Sequence, residues 1–231
     1  MRLVLVYIIH MKVAFIITGD VRNCKTRNTL PTKLTRSDVF CGSYQEHVNY
    51  LSKFGNNNAI IRKSDIRPPY GLHRDDMQQN MLQWLCLDEV IKRYKNQLLT
   101  YDVICKIRFD TIIHGWDDYH KFVSSKDIRD GVLYNDSDRV FYGRSGVFIN
   151  AFEDFYDHTI RTTFIPHKHH NFRNSWKSEP EFRNMLSKKK IHNKRITQKI
   201  SIDRGSYRKR TADGNEKLYT KSGMLLGKFT L

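Results

Sequence analysis

Apolar residues run along the first half of this chain in short blocks, each stopped by glycine, proline or a charged cluster. Lys12–Thr18 (KVAFIIT) is one such block. It closes on Gly19-Asp20, the pattern of a central strand running into a loop. Asp38–Ser43 and Ala59–Arg62 predict a second and a third strand. Pro68, Pro69 and Gly71 then break the chain, and Asp75 or Asp76 is placed to cap a helix. From Asp75 to Leu98 the period changes. Met77, Met81, Trp84, Ile91, Tyr94 and Leu98 recur at helical spacings, with Leu85, Leu87 and Val90 widening the stripe. Aspartates open this helix, and Lys92, Arg93 and Lys95 stand near its end, which suits the helix dipole.

A fourth strand comes next, in YDVICKIRFDTIIHGW, residues 101–116. Two short strands flank Asn135–Asp138, INAFEDFYDHTI (149–160) predicts a helix, and ITQKISIDR (196–204) a last strand. SEPEFRNMLSKKK (178–190) predicts another helix, with Ser178 as N-cap and Glu181 three residues on, a capping box. Strands alternating with helices predict an α/β sheet, mostly parallel in its N-terminal half. In such sheets ligands bind beyond the carboxyl ends of the strands. That rule singles out the fourth strand. Its apolar run carries Lys106 in its midst and ends in Arg108 and Asp110, and buried charges are paired or bind something. Two readings fit: an ion pair between same-face neighbours, or a charged site at the strand end where Gly19, Asp20 and Arg22 converge with Arg108 and Asp110.

Composition adds a partner class. The 231 residues and 39% hydrophobic content suit one folded domain. Its bounds are read as 11–205, with an apolar extension at 1–10 and a basic C-terminal tail at 206–231. Of the net charge of +16, residues 160–231 hold +13, from 18 Lys+Arg less 5 Asp+Glu. Such a region attracts nucleic acid, an anionic membrane surface or phosphorylated substrates; a solvated lysine-rich surface has the same composition.

Cys24, Cys41, Cys86 and Cys105 form no CxxC pair, so a zinc ribbon or redox motif is unsupported. Cys41, Cys86 and Cys105 read as buried free thiols in a reducing, intracellular setting. The first 18 residues are mostly apolar, but His10 and Lys12 interrupt them and no small-residue cleavage site follows. Met11 is an alternative start. His167, His169 and His170 lack a second ligand cluster and read as a solvated loop rather than a zinc site.

Arginines and carboxylates on one rim suit a nucleotide-sugar with a divalent metal. Arginine binds phosphate oxygens bidentately, and a carboxylate is a hard ligand for Mg²⁺ or Mn²⁺. KVAFIITGDVRN, DVFCGSY, QQNMLQWLCLDEVIKRY, YDVICKIRFDTII, DRVFYGRSGVF and SEPEF, in this order, resemble the WavE-type glycosyltransferase-like proteins of lipopolysaccharide and capsule synthesis, found also in large DNA viruses and phages. The resemblance spans about residues 12–205.

The resemblance implies a GT-A-like nucleotide-binding sheet flanked by helices, and transfer of a sugar from a nucleotide-diphosphate donor to a glycan or glycoconjugate hydroxyl. Gly19, Arg22 and Asn80 would then line the nucleotide, Arg108 would hold phosphate, and Asp110 would bind Mn²⁺ or Mg²⁺. Asp138 would line the sugar or acceptor, and Glu181, or Glu179, would be the general base. GT-A enzymes often carry Asp-x-Asp where this chain has Arg108-Phe109-Asp110. Its literal Asp-x-Asp, Asp136-Ser137-Asp138, is equally a good strand-to-strand turn. Two alternatives remain: a nucleic-acid-binding protein using the basic C-terminal third, and a catalytically inactive GT-A-like binding module. The expected location is the cytoplasm, peripheral to a membrane, and the host cytoplasm for a viral chain.

Overall fold

The computed structural model describes residues 11–19, 21, 38–66, 79–109, 111–113, 123, 128–136, 139–160, 178–196, 200–202, 206–210, 216–220 and 225–229. The strands are β1 Val13–Thr18, β2 Val39–Tyr44, β3 Asn57–Ile61, β4 Val103–Arg108, β5 Thr111–Ile113, β6 Val132–Asp136, β7 Val140–Arg144, β8 His192–Arg195, β9 Ile200–Ile202, β10 Ser206–Arg210, β11 Glu216–Thr220 and β12 Leu225–Phe229. The helices are α1 Val48–Leu51, α2 Gln79–Leu98, α3 Ser145–Phe152 and α4 Ser178–Lys188, with a π-helical turn at Phe155–Ile160.

Seven strands form one mixed sheet in the order β3-β2-β1-β4-β7-β6-β8. β3, β2, β1 and β4 are parallel, as the alternating pattern predicts; β7 runs antiparallel to both β4 and β6, and β8 is parallel to β6. Every residue of β1 and β2 is buried, because apolar side chains cover both sheet faces. On one face Ile16, Phe40, Ile104 and Phe141 meet Trp84, Leu87, Val90 and Ile91 of α2, joined by Phe152 and Phe182. On the other, Phe15, Ile17, Cys41, Cys105, Ile107 and Tyr142 meet Leu51, Val123 and Ile128. Cys41, Cys86 and Cys105 are buried free thiols, and burial pushes the Cys41 thiol far above its ordinary range, which keeps it from acting as a nucleophile.

One predicted helix is corrected. Residues 149–160 are not a single helix: α3 begins at Ser145 and stops at Phe152, and the chain resumes as the π-helical turn. Asp154 takes φ +60°, a conformation that no regular helix contains. The break lets Phe152 and Phe155 both face Trp84, at 5.8 and 5.1 Å between ring centroids. Aromatic packing thus overrides local propensity here. Beyond the main sheet, β5 pairs with β9, and β10, β11 and β12 form an antiparallel meander. Among the described residues no helix is long and apolar enough to cross a membrane.

Candidate functional site at the carboxyl edge of the sheet

The chain steps outward from β1 to β2 and β3, then returns through α2 to place β4 on the other side of β1. Strand order therefore reverses between β1 and β4, the position where open α/β sheets bind ligands. Both strands end level: Thr18 is in register with Arg108. The Phe109 amide donates to the Thr18 carbonyl at 3.4 Å, which carries the pairing one residue further.

Gly19 turns the chain out of β1 at φ +109°, a conformation that a side chain would strain. Two bonds fix it. Its amide donates to the Gly42 carbonyl at 3.2 Å, and the Ser43 hydroxyl donates to its carbonyl at 2.7 Å. A Cβ at Gly19 would lie 3.9 Å from Cβ of Gln83, so the second turn of α2 sits beside this loop. Gln83 is buried, and Asn80 stands three residues earlier, in the first turn of the same helix.

Arg108 and Lys106 alternate with Ile107 and so share the sheet face of α2. Lys106 is fully buried, with Nζ 5.2 Å from the Trp84 ring centroid and 5.6 Å from that of Phe141, an aromatic cage around its charge. Arg108, one pleat nearer the carboxyl edge, is half-exposed. The β6–β7 hairpin brings further charge to this edge. Val140 is in register with Ile107, and Arg139 precedes it. Arg139 Nη1 lies 3.6 Å from Asp136 Oδ2, and the Arg139 amide donates to the Asp136 carbonyl at 3.2 Å.

Of the predicted residues, the structure brings Gly19 and Arg108 to one edge and puts Asn80 in the first turn of the helix beside it. Glu181 is in the first turn of α4, next to Phe182, whose ring lies 5.2 Å from Phe141. Asp20, Arg22, Asp110, Asp138 and the histidines at 167, 169 and 170 lie outside the described residues. Sequence reasoning missed Ser43, Gln83, Asp136 as a partner of Arg139, and two threonines. The hydroxyls of Thr18 and Thr111 are buried without a hydrogen-bond partner, although such groups are ordinarily satisfied. A polar residue within the apolar stripe of α2 was the available signal for Gln83.

The polar groups of this edge, carboxylate and hydroxyl, are hard oxygen donors, which suit Mg²⁺ or Mn²⁺ better than zinc. Among the described residues no group of three or more His, Cys, Asp or Glu is arranged to hold a metal.

No protein-family model matches the chain. No curated protein matches it either. Among solved structures, the apo-form glycosyltransferase GlyE of Streptococcus pneumoniae TIGR4 is similar at 15% identity and a TM-score of 0.33, over 80% of this chain and 45% of that one. The chain thus spans less than half the length of that structure.

Proposed function

We propose that the chain is a nucleotide-sugar-dependent glycosyltransferase whose donor binds across the carboxyl ends of β1 and β4. The observation that carries this reading is the level ending of those two strands at the reversal of strand order, with the positive-φ Gly19 loop on one and Arg108 on the other. Gly19 leaves room for a diphosphate to approach the backbone, and Arg108 offers a fork of donors to its oxygens. The motif resemblance to WavE-type proteins supplies the reaction class.

In the proposed reaction an acceptor hydroxyl oxygen bonds to the anomeric carbon of the donor sugar. The bond from that carbon to the diphosphate oxygen breaks, and its electron pair leaves with the nucleoside diphosphate. Glu181 takes the hydroxyl proton, and Asp138 lines the sugar or acceptor. Arg22 joins Arg108 on the phosphates. Asp110 would hold Mn²⁺ or Mg²⁺, which would supply positive charge against the leaving diphosphate. The acceptor class is a glycan or glycoconjugate in polysaccharide synthesis.

The test is release of nucleoside diphosphate from a set of UDP- and GDP-sugars with Mn²⁺, using wild type and Asp110→Asn. The expected result is turnover by wild type and a loss of roughly 100-fold or more in the variant, at unchanged melting temperature. Equal turnover by the two proteins would remove Asp110 from the site. No turnover of any donor would favour the inactive binding module.

A further inference from the structure

The seven-stranded sheet ends in β8, which pairs with β6 and, among the described residues, with no other strand. Ile191 and Ile196 are buried at its two ends, and His192, Asn193, Lys194 and Arg195 between them are all exposed. The amide and carbonyl of one strand residue point to the same side, and sides alternate along the strand. The His192 amide donates to the Gly131 carbonyl at 2.9 Å and the Ile196 amide to the Asn135 carbonyl at 2.8 Å, so these two residues and Lys194 face β6. Asn193 and Arg195 therefore each turn an N–H and a C=O outward, where no described strand meets them. Side chains hold the edge in this form. Asn135 Nδ2 donates to Asn193 Oδ1 at 2.8 Å, and Lys194 Nζ lies 5.8 Å from the Tyr134 ring centroid.

The charge along this edge is of one sign. No Asp or Glu occurs from Phe182 to Ile202. Lys188, Lys190, Lys194 and Arg195 are exposed, and none of them is in a salt bridge among the described residues. Lys92, Lys95, Arg139 and Arg144, by contrast, each face a carboxylate. Lys189 is turned inward and donates to the Asn150 and Glu153 carbonyls at the end of α3. Lys194 and Arg195 are neighbours on one strand and so stand on opposite faces of the sheet, which puts cationic charge on both sides of the open backbone.

We infer that β8 accepts an acidic, extended peptide segment of a partner protein as an added strand. The outward backbone groups select this partner. Phosphate oxygens of nucleic acid or of lipid headgroups accept from the outward amides but offer nothing to the outward carbonyls, whereas a polypeptide strand both donates and accepts. A second copy of β8 would set like charges opposite one another, and lysines on an edge strand act against such pairing. Carboxylates on an incoming strand reverse the sign of that interaction on both faces. The inference goes beyond the proposed transfer reaction and is independent of it, since docking is read with no donor present.

The experiment is fluorescence anisotropy of a short fluorescein-labelled peptide of valine and glutamate, with glutamates on both strand faces, titrated with the full chain. Three proteins are compared: wild type, Lys194→Glu/Arg195→Glu, and the control Lys53→Glu/Arg62→Glu, which changes the net charge equally at exposed positions flanking β3 at the opposite edge. Wild type and control are expected to bind the peptide alike, and the β8 variant to bind roughly tenfold more weakly. The same peptide N-methylated at alternate residues tests the backbone contacts with an unaltered protein, so it stands even where the variant fails to fold; its expected loss is about tenfold. The inference is overturned if wild type does not bind the acidic peptide, if the control loses as much as the β8 variant, or if the N-methylated peptide binds as tightly as its parent, which would leave charge attraction without an added strand. It is also overturned if the β8 variant keeps its peptide binding and loses only a labelled single-stranded oligonucleotide or vesicles containing phosphatidylserine, which would assign the edge to those partners.

Discussion

Alanine at position 42 should push α2 away from the sheet. A Cβ built on Gly42 falls 2.4 Å from the Cys86 carbonyl oxygen and 2.8 Å from Val90 Cγ2, where ordinary contact begins at 3.4 Å. The helix would have to retreat by about 1 Å, the difference between 3.4 and 2.4 Å. It has no easy way to do so, because Trp84, Leu87, Val90 and Ile91 all anchor it in the core. Overpacking costs about 1–3 kcal/mol, and a clash with backbone rather than a side-chain tip belongs at the upper end, about 3 kcal/mol. For a chain of this size that lowers the melting temperature by about 6–12 °C. The perturbation also reaches the candidate site, since Gly42 accepts the Gly19 amide and Ser43 holds the Gly19 carbonyl. Urea unfolding followed by tryptophan fluorescence reads the midpoint and slope. A midpoint shift worth less than about 0.5 kcal/mol, the range of an innocuous surface substitution, would refute the close packing of α2 on β2.

Ser43→Ala removes a buried bond to Gly19 and should cost about 1–2 kcal/mol in the same assay, with weaker nucleotide binding as a second readout. Lys106→Ala empties the space between Trp84 and Phe141 and should cost about 2–4 kcal/mol; a loss below about 1 kcal/mol would show that the caged lysine contributes little. Burial pushes the Asp88 carboxyl up to about 6, against the lowering pull of Lys92, whose Nζ lies 2.5 Å from Oδ2 in an ion pair without the alignment of a hydrogen bond. A raised carboxyl favours the fold below the ordinary value of 3.8 and loses that contribution as pH rises through about 6. Asp88→Asn should therefore gain stability relative to wild type between these pH values, by at most about 3 kcal/mol, and a difference independent of pH would contradict the assignment.

The parallel half of the sheet was legible because its strands are buried on both faces and read as continuous apolar runs. Lys12–Thr18 exceeds β1 by one residue at its start, and Asp38–Ser43 is shifted from β2 by one residue at each end. The end of β4 stood out through Arg108, a charge at the close of an apolar run. β8 was illegible for the opposite reason: His192–Arg195 is exposed at every position at the sheet edge and carries no hydrophobic pattern. The helix break at Asp154 was hidden because the aromatic periodicity continues through it, while the contacts that enforce it come from Trp84, about seventy residues away in sequence. The convergence of Ser43, Gln83 and Gly19 depends on strand order and helix docking, which no local pattern encodes.

A nucleotide site across β1 and β4 is open to calorimetric titration of UDP and GDP, with and without Mn²⁺, into wild type, Arg108→Ala and Asp110→Asn. One nucleotide should bind wild type, and only with the metal. Each variant should lose at least about tenfold in affinity, as removing a charge-assisted contact would give. No binding of either nucleotide under any condition, or binding unchanged in both variants, would contradict that site.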